Sequence, residues 1–411
     1  MWDPYAEFKT AELPNGLTVL ALPMKREWQY IGFVVHSGAA QDPAGLEGTA
    51  HFVEHLVSEN ARIPEKELSA FFDGYGGRAM LGEIGYHSTV YWIQTPADET
   101  ILAEALGLFG SMLIEAELKK CIERERRVII SEFRKAHPLK ADIELLRSER
   151  QVLYPGTWVE RCLIPGGIPE SIRQITDVHL QEFYDTHYTP ANISVVGVGA
   201  VKLDDLTGLL LKSPFGARKK GKRTKPQLSL ASFASPQDYR RTSARKSLET
   251  ASYYSVGRFP GNTNPYAILL LQEILTDTVS DAVRKSNGFA YEIEVPYNYF
   301  GCAHELSIDC RGLDPEEIES AESVIEYAIG VSGSQEGVFE ESKKRMLASS
   351  TMLDESGQDI CEVVLEDLGE HQRIVTLTEE RNGFAAATLT EIGNLLQTFG
   401  PKERWTLIMR P

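Results

Sequence analysis

The feature that most constrains this chain of 411 residues is a repeat: each half closes with the same helix-then-strand unit. Residues 176–187 carry a helical pattern and lead into the β-branched run 192–198. At a constant offset of 212, residues 388–399 carry the same pattern and lead into the run 404–409. More loosely, 31–57 resembles 253–275, where a strand and a Gly/Pro turn again precede an apolar helix. A chain of this length exceeds one ordinary domain of ~100–200 residues. It reads as two related domains, 1–212 and 247–411. The stretch 213–246 between them is rich in Lys, Arg, Ser and Pro, includes Lys219-Lys220-Gly221-Lys222-Arg223, and reads as a solvated linker.

Runs such as Leu17-Thr18-Val19-Leu20-Ala21 and Ile31-Gly32-Phe33-Val34-Val35 are strand-like and bordered by turn residues. Helical patterns follow at about 48–57, 65–72, 99–114 and 117–136. Strands and helices mix without strict alternation, which argues against a doubly wound parallel sheet. The expected fold class is α+β: two related domains, each a mostly antiparallel sheet with helices packed on one face.

The net charge of −17 opposes binding to nucleic acid or anionic membrane. Five scattered cysteines, none spaced Cys-x-x-Cys, read as reduced thiols. The N-terminal residues show no signal region, and no apolar run approaches the ~18 residues of a membrane span. The expected location is therefore cytoplasmic.

The chemistry is concentrated in His51-Phe52-Val53-Glu54-His55. Histidines four apart on a helix project from one face, one turn apart, the spacing at which two imidazoles share a tetrahedral zinc ion. Glu54 lies on the same side and can reach a water on the metal without coordinating itself. The order His-x-x-Glu-His inverts the commoner His-Glu-x-x-His and is itself a zinc-peptidase signature. A third ligand must come from elsewhere. The charged helix around 123–133 offers Glu125 and Glu132, seven apart and on one face.

These residues resemble the pitrilysin family, which includes insulin-degrading enzyme and the mitochondrial processing peptidase. Its members follow the inverted motif, after about 76 residues, with a glutamate ligand on a helix of the Glu-Arg-x-x-Val-x-x-Glu type. Here 76 residues separate His55 from Glu132, within Glu125-Arg126-Arg127-Val128-Ile129-Ile130-Ser131-Glu132. The resemblance implies that His51, His55 and Glu132 bind zinc, that Glu54 is the general base, and that Glu125 orients a ligand. Glu47-Gly48-Thr49-Ala50, Pro169-Glu170-Ser171-Ile172, Ile175-Thr176 and 188–192 also look like this family, in its short two-domain type.

In the second half, Arg284 and Tyr291 resemble an Arg-x-x-x-Gly-x-x-Tyr segment, which implies a donor pair steadying the oxyanion. The helix aligned to the zinc helix there, 267–272, carries no ligands, so one Zn2+ per chain is expected. Family members add substrate as a strand to a sheet edge, which implies 79–92 as that edge, with Ala79, Met80 and Leu81 in contact. The chain departs from the pattern at two places. The glycine-rich stretch ahead of Arg284 is missing, and Arg78-Ala79-Met80-Leu81-Gly82-Glu83 stands where an Asn-Ala pair is usual, with one extra residue.

The implied function is a zinc endopeptidase cutting peptides or unfolded segments inside a clamshell chamber, with zinc-bound water activated by Glu54. The implied assembly is a homodimer, or a heterodimer with a related subunit, with Arg284 and Tyr291 supplied across the interface. The alternative is a non-catalytic or partner-dependent core subunit of a processing-peptidase-like complex.

Overall fold

The computed structural model describes residues 2–59, 62–63, 65–137, 140–225, 240–244, 249–286, 288–289, 292–349 and 356–411. They form two compact units that interleave along the chain. Unit 1 comprises Met1–Glu144, Arg161–Gln227 and Asp354–Thr376. Unit 2 comprises Leu145–Glu160, Leu228–Leu353 and Leu377–Pro411.

Unit 1 is built on six strands: β1 (Lys9–Glu12), β2 (Thr18–Pro23), β3 (Trp28–Val35), β4 (Arg78–Ile84), β5 (Thr89–Pro96) and β6 (Ile193–Gly199). They lie in the order β1-β2-β6-β3-β5-β4. Every pairing is antiparallel except β2 with β6. Strand β6, Ile-Ser-Val-Val-Gly-Val-Gly, is buried along its whole length, as a central strand covered on both faces must be.

On one face Ile31, Phe33 and Val35 of β3 enter a large apolar core. Helices α1 (Thr49–Ser58), α2 (Glu65–Tyr75), α3 (Glu99–Ile114) and α4 (Ile122–Ala136) contribute to the same core. Phe33 stacks between Phe109 and Phe215, with ring centroids 4.9 and 5.3 Å away. Burying a phenyl ring contributes about 2–3 kcal/mol. The other face is covered by the helix Gly357–His371, drawn from the far end of the sequence. It approaches so closely that a Cβ on Gly32 would stand 2.5 Å from Leu365.

Unit 2 holds β7 (Arg240–Ala244), β8 (Ala251–Pro260), β9 (Glu292–Glu294), β10 (Tyr297–Tyr299), β11 (Ala303–Leu313) and β12 (Trp405–Arg410). The order is β10-β11-β8-β12-β7, and β12 with β7 is the parallel pair. This reproduces the path β4-β5-β3-β6-β2 of unit 1. The repeat at offset 212 is realised in the helices too. Thr176 caps Asp177–His187 ahead of β6, and Thr388 caps Leu389–Thr398 ahead of β12. Each threonine accepts the backbone N–H three residues on.

Two findings depart from the consecutive division expected at 213–246. First, each unit takes a segment from the other half of the sequence. Leu145–Glu160 belongs to unit 2, where Arg150 and Tyr154 both donate to Glu305 of β11, at 2.8 and 2.7 Å. Second, the stretch read as linker contains β7, and Asn15 donates to the carbonyls of Phe215 and Arg218 within it. Strand β7 is Arg-Arg-Thr-Ser-Ala at a sheet edge, so it carries no apolar alternation to betray it.

Candidate metal centre

Helix α1 is placed by its first turn. Gly48 adopts φ +96°, and a Cβ there would meet the Gly166 carbonyl at 2.8 Å. Buried Asp42 accepts from the N–H groups of Gly48 (2.6 Å) and Ala50 (2.7 Å), which the helix itself leaves unpaired. Arg161 donates to the Asp42 carbonyl and to Glu47, each at 3.0 Å, and fixes the loop ahead of the helix. Phe52, Val53, Leu56 and Val57 then bury one side of α1 in the core. The remaining side carries His51, Glu54 and His55.

The two imidazoles stand edge to face, with ring centroids 4.6 Å apart and their Nε2 atoms 3.2 Å apart. Glu132 of α4 brings its Oε2 to 3.3 Å from His55 Nε2 and 4.0 Å from His51 Nε2. The three donor atoms all lie within 4.8 Å of one another. Among the described residues this is the group of His, Cys, Asp and Glu side chains placed to hold a metal ion. Two imidazole nitrogens and one carboxylate oxygen are a catalytic zinc donor set, so the residues fit that ion.

The surroundings prepare the donors. His55 Nδ1 lies 3.2 Å from Oε2 of Glu125, which is buried, so Nδ1 donates and Nε2 offers its lone pair. The other oxygen of Glu125 accepts from Arg124 Nε at 2.6 Å, and Arg124 also donates to Glu59 just beyond α1. Burial, with His55 beside it, lowers His51 to about 4 and keeps it neutral, as a ligand must be. Burial pushes Glu54 up to about 7. His55 opposes that shift, while Glu132 and Glu125 reinforce it. A carboxylate poised there suits a general base near neutral pH.

The site opens into a cavity of about 760 Å³ walled by α2, β4 and α4. Ala79 and Leu81 line it, as do Phe72, Trp92 and Val128. Among the described residues strand β4 pairs with β5 alone and ends the sheet. The extra residue seen in the sequence is a β-bulge. Met80 pairs with Trp92 and Glu83 with Val90, so Leu81 and Gly82 together face Tyr91.

In unit 2 the corresponding edge is β9 and β10, in one register against β11 and separated by Val295-Pro296. Proline there removes a donor and blunts the edge. On the helix Pro265–Ser280, Ala267, Leu270 and Leu271 are fully buried in the core.

Arg284 is exposed, on the π-helical turn Asp281–Ser286 of unit 2. Tyr291 lies outside the described residues. Sequence reasoning missed Asp42, Arg161, Gly166 and the Glu59–Arg124 pair. None belongs to a motif, and the structure alone brings them to the site.

Fold and site together define a metallopeptidase-like fold that carries a His-x-x-Glu-His helix. Residues 22–148 match the family described as Insulinase (Peptidase family M16), and residues 174–321 match the Peptidase M16 inactive domain. The chain belongs to the M16 peptidase family. It is 26% identical over 210 residues to the probable zinc protease PqqL of Escherichia coli, covering 49% of this chain and 22% of that protein. It is 24% identical over 203 residues to a probable mitochondrial-processing peptidase subunit beta of Arabidopsis thaliana, covering 49% and 37%. The match thus spans well under half the length of either relative.

Among solved structures, the peptidase M16 inactive domain from Pseudomonas fluorescens superposes with a TM-score of 0.83 at 15% identity, covering 98% of both chains. The periplasmic protease PqqL from Escherichia coli gives 0.79 at 16% identity, covering 98% of this chain and 47% of that one. Among the described residues no helix is long and apolar enough to cross a membrane.

Proposed function

We propose that this chain is a zinc-dependent endopeptidase acting on peptides or unfolded polypeptide segments, with its metal centre in 1–212 and an Arg–Tyr donor pair in 247–411. The observation that carries this reading is the convergence of His51, His55 and Glu132 within 4.8 Å beside the buried Glu54 carboxylate. Zinc held there would supply Lewis acidity to the carbonyl and to water.

The chain's own residues do the rest. Glu125 fixes the His55 tautomer, and neutral His51 keeps its Nε2 free to coordinate. Glu54 takes the proton of the attacking water and returns it to the leaving amine. The β4 edge, with Ala79, Met80 and Leu81, receives an extended peptide as an added strand. Arg284 and Tyr291 donate to the developing oxyanion. We further propose that the protein works as a homodimer, in which a second copy supplies that pair and closes the chamber.

A second reading is a partner-dependent or non-catalytic subunit. It is favoured by one observation, that the relatives matched are longer, and one of them is named as a subunit. Incubating the purified chain alone with a peptide library, with and without chelator, and reading products by mass spectrometry decides between the two. Chelator-sensitive cleavage by the chain alone supports the peptidase. Cleavage only after a related subunit is added supports the second reading.

A further inference from the structure

The bulge in β4 lies directly against the candidate base. Gly82 adopts φ +150°, a conformation that side chains with a Cβ rarely take. A Cβ built on it would stand 1.9 Å from Glu54 Oε1 and 2.6 Å from Glu54 Cγ and Cδ. The neighbouring Leu81 carbonyl accepts a hydrogen bond from Ser58 Oγ, in the last turn of α1. The bulge is therefore tied to the helix that carries Glu54, and its one residue without a side chain stands where the carboxylate sits.

Resting on the reading of Glu54 as general base, we propose that the Leu81–Gly82 bulge is a positioning device: Gly82 supplies the space that seats the Glu54 carboxylate, and Ser58 holds the bulge in place. The extra residue of β4 is thereby accounted for by the site. A regular strand would oppose one residue, not two, to Tyr91, and would present no such gap over Glu54. The colliding atoms are the far end of a flexible side chain. Added bulk at position 82 therefore displaces the carboxylate before it moves the fold.

The test is a double-mutant cycle read on kcat, KM, zinc content and melting temperature in the purified full chain. Gly82→Ala is expected to lower kcat by about 100-fold, the cost of a base misplaced by about an ångström, with KM and zinc stoichiometry close to wild type. Glu54→Ala alone also lowers kcat, because it removes the base, and it takes away all three atoms that the new methyl group would meet. Adding Gly82→Ala to Glu54→Ala is then expected to cost no more than about twofold in the residual kcat, since no carboxylate remains for the new methyl group to displace.

Backbone strain at φ +150° lowers the melting temperature equally in both backgrounds, so it cannot imitate the loss of coupling in kcat. Ser58→Ala leaves the glycine untouched and releases the bulge. It should lower kcat with zinc retained, and so serves if Gly82→Ala does not fold. Equal kcat penalties for Gly82→Ala in the two backgrounds, or wild-type kcat in Ser58→Ala, overturn the positioning role. Undiminished activity in Glu54→Gln instead overturns the assignment of the base, a separate outcome.

Discussion

Glu125 Oε2 lies 3.2 Å from His55 Nδ1, and its other oxygen accepts from Arg124 at 2.6 Å. The carboxylate thus bridges a metal-ligand candidate to a guanidinium on its own helix, and its tilt is fixed from both sides. Glu125→Gln keeps the shape and loses the charge. It is expected to weaken zinc binding by about 10–100-fold, as measured by competition with a chromophoric chelator. Unchanged affinity would mean that Glu125 does not orient His55.

The ligand set makes a sharper expectation. The purified protein should hold about one zinc per chain. Glu132→Gln should lower retention, while Glu54→Gln should keep the metal and reduce turnover by about 100-fold or more. Elemental analysis alongside a peptide assay checks both. Unaltered zinc content in a His51→Ala, His55→Ala double variant would refute the site.

The Arg–Tyr pair bears on assembly. If a second copy supplies it, mixing inactive Glu54→Gln chains with inactive Arg284→Ala chains should restore activity, up to about one site in four under random exchange and two sites per dimer. No recovery despite demonstrated subunit exchange would sink the shared site.

The β4 edge predicts selectivity. Strand addition needs an extended backbone, so unfolded or short peptides should be cut and a rigid folded protein without loose tails spared. Efficient cleavage of such a folded protein would count against the chamber.

Stability should depend on pH through His36. It is buried beside Ser194, 2.8 Å from its hydroxyl, and burial, aided by the charge of Arg223, lowers it to about 3. The folded value lies below the unfolded one of about 6.5, so the unfolded chain takes up the proton first as pH falls. The contribution is complete above about pH 6.5 and is lost as pH falls toward 3, by about 1.4 kcal/mol per unit within that window. Denaturant unfolding of the metal-free protein at several pH values should show a shallower loss for His36→Gln than for wild type. Parallel curves would contradict it.

What the sequence determined by itself rests on short-range periodicity and fixed spacing. Histidines four apart on a helix must share a face, Glu125 and Glu132 seven apart must share another, and the Thr-capped helix before a strand recurs at an offset of 212. The structure places these elements as read, and brings Glu132 to His51 and His55.

Tertiary structure alone decided the rest, because burial partners distant in sequence leave no local pattern. The helix Gly357–His371 carries an ordinary amphipathic face, and nothing in it says that the face closes over Gly32 of the first half. Strand β7 is edge-bound and polar, so it reads as linker until β12 pairs with it. Asp42 and Arg161 are single polar residues whose meaning comes from the N–H groups and carbonyl they meet. The extra residue in β4 was legible as a count. Its role depends on the bulge that sets Gly82 against Glu54, a contact between a sheet edge and a helix that only packing creates.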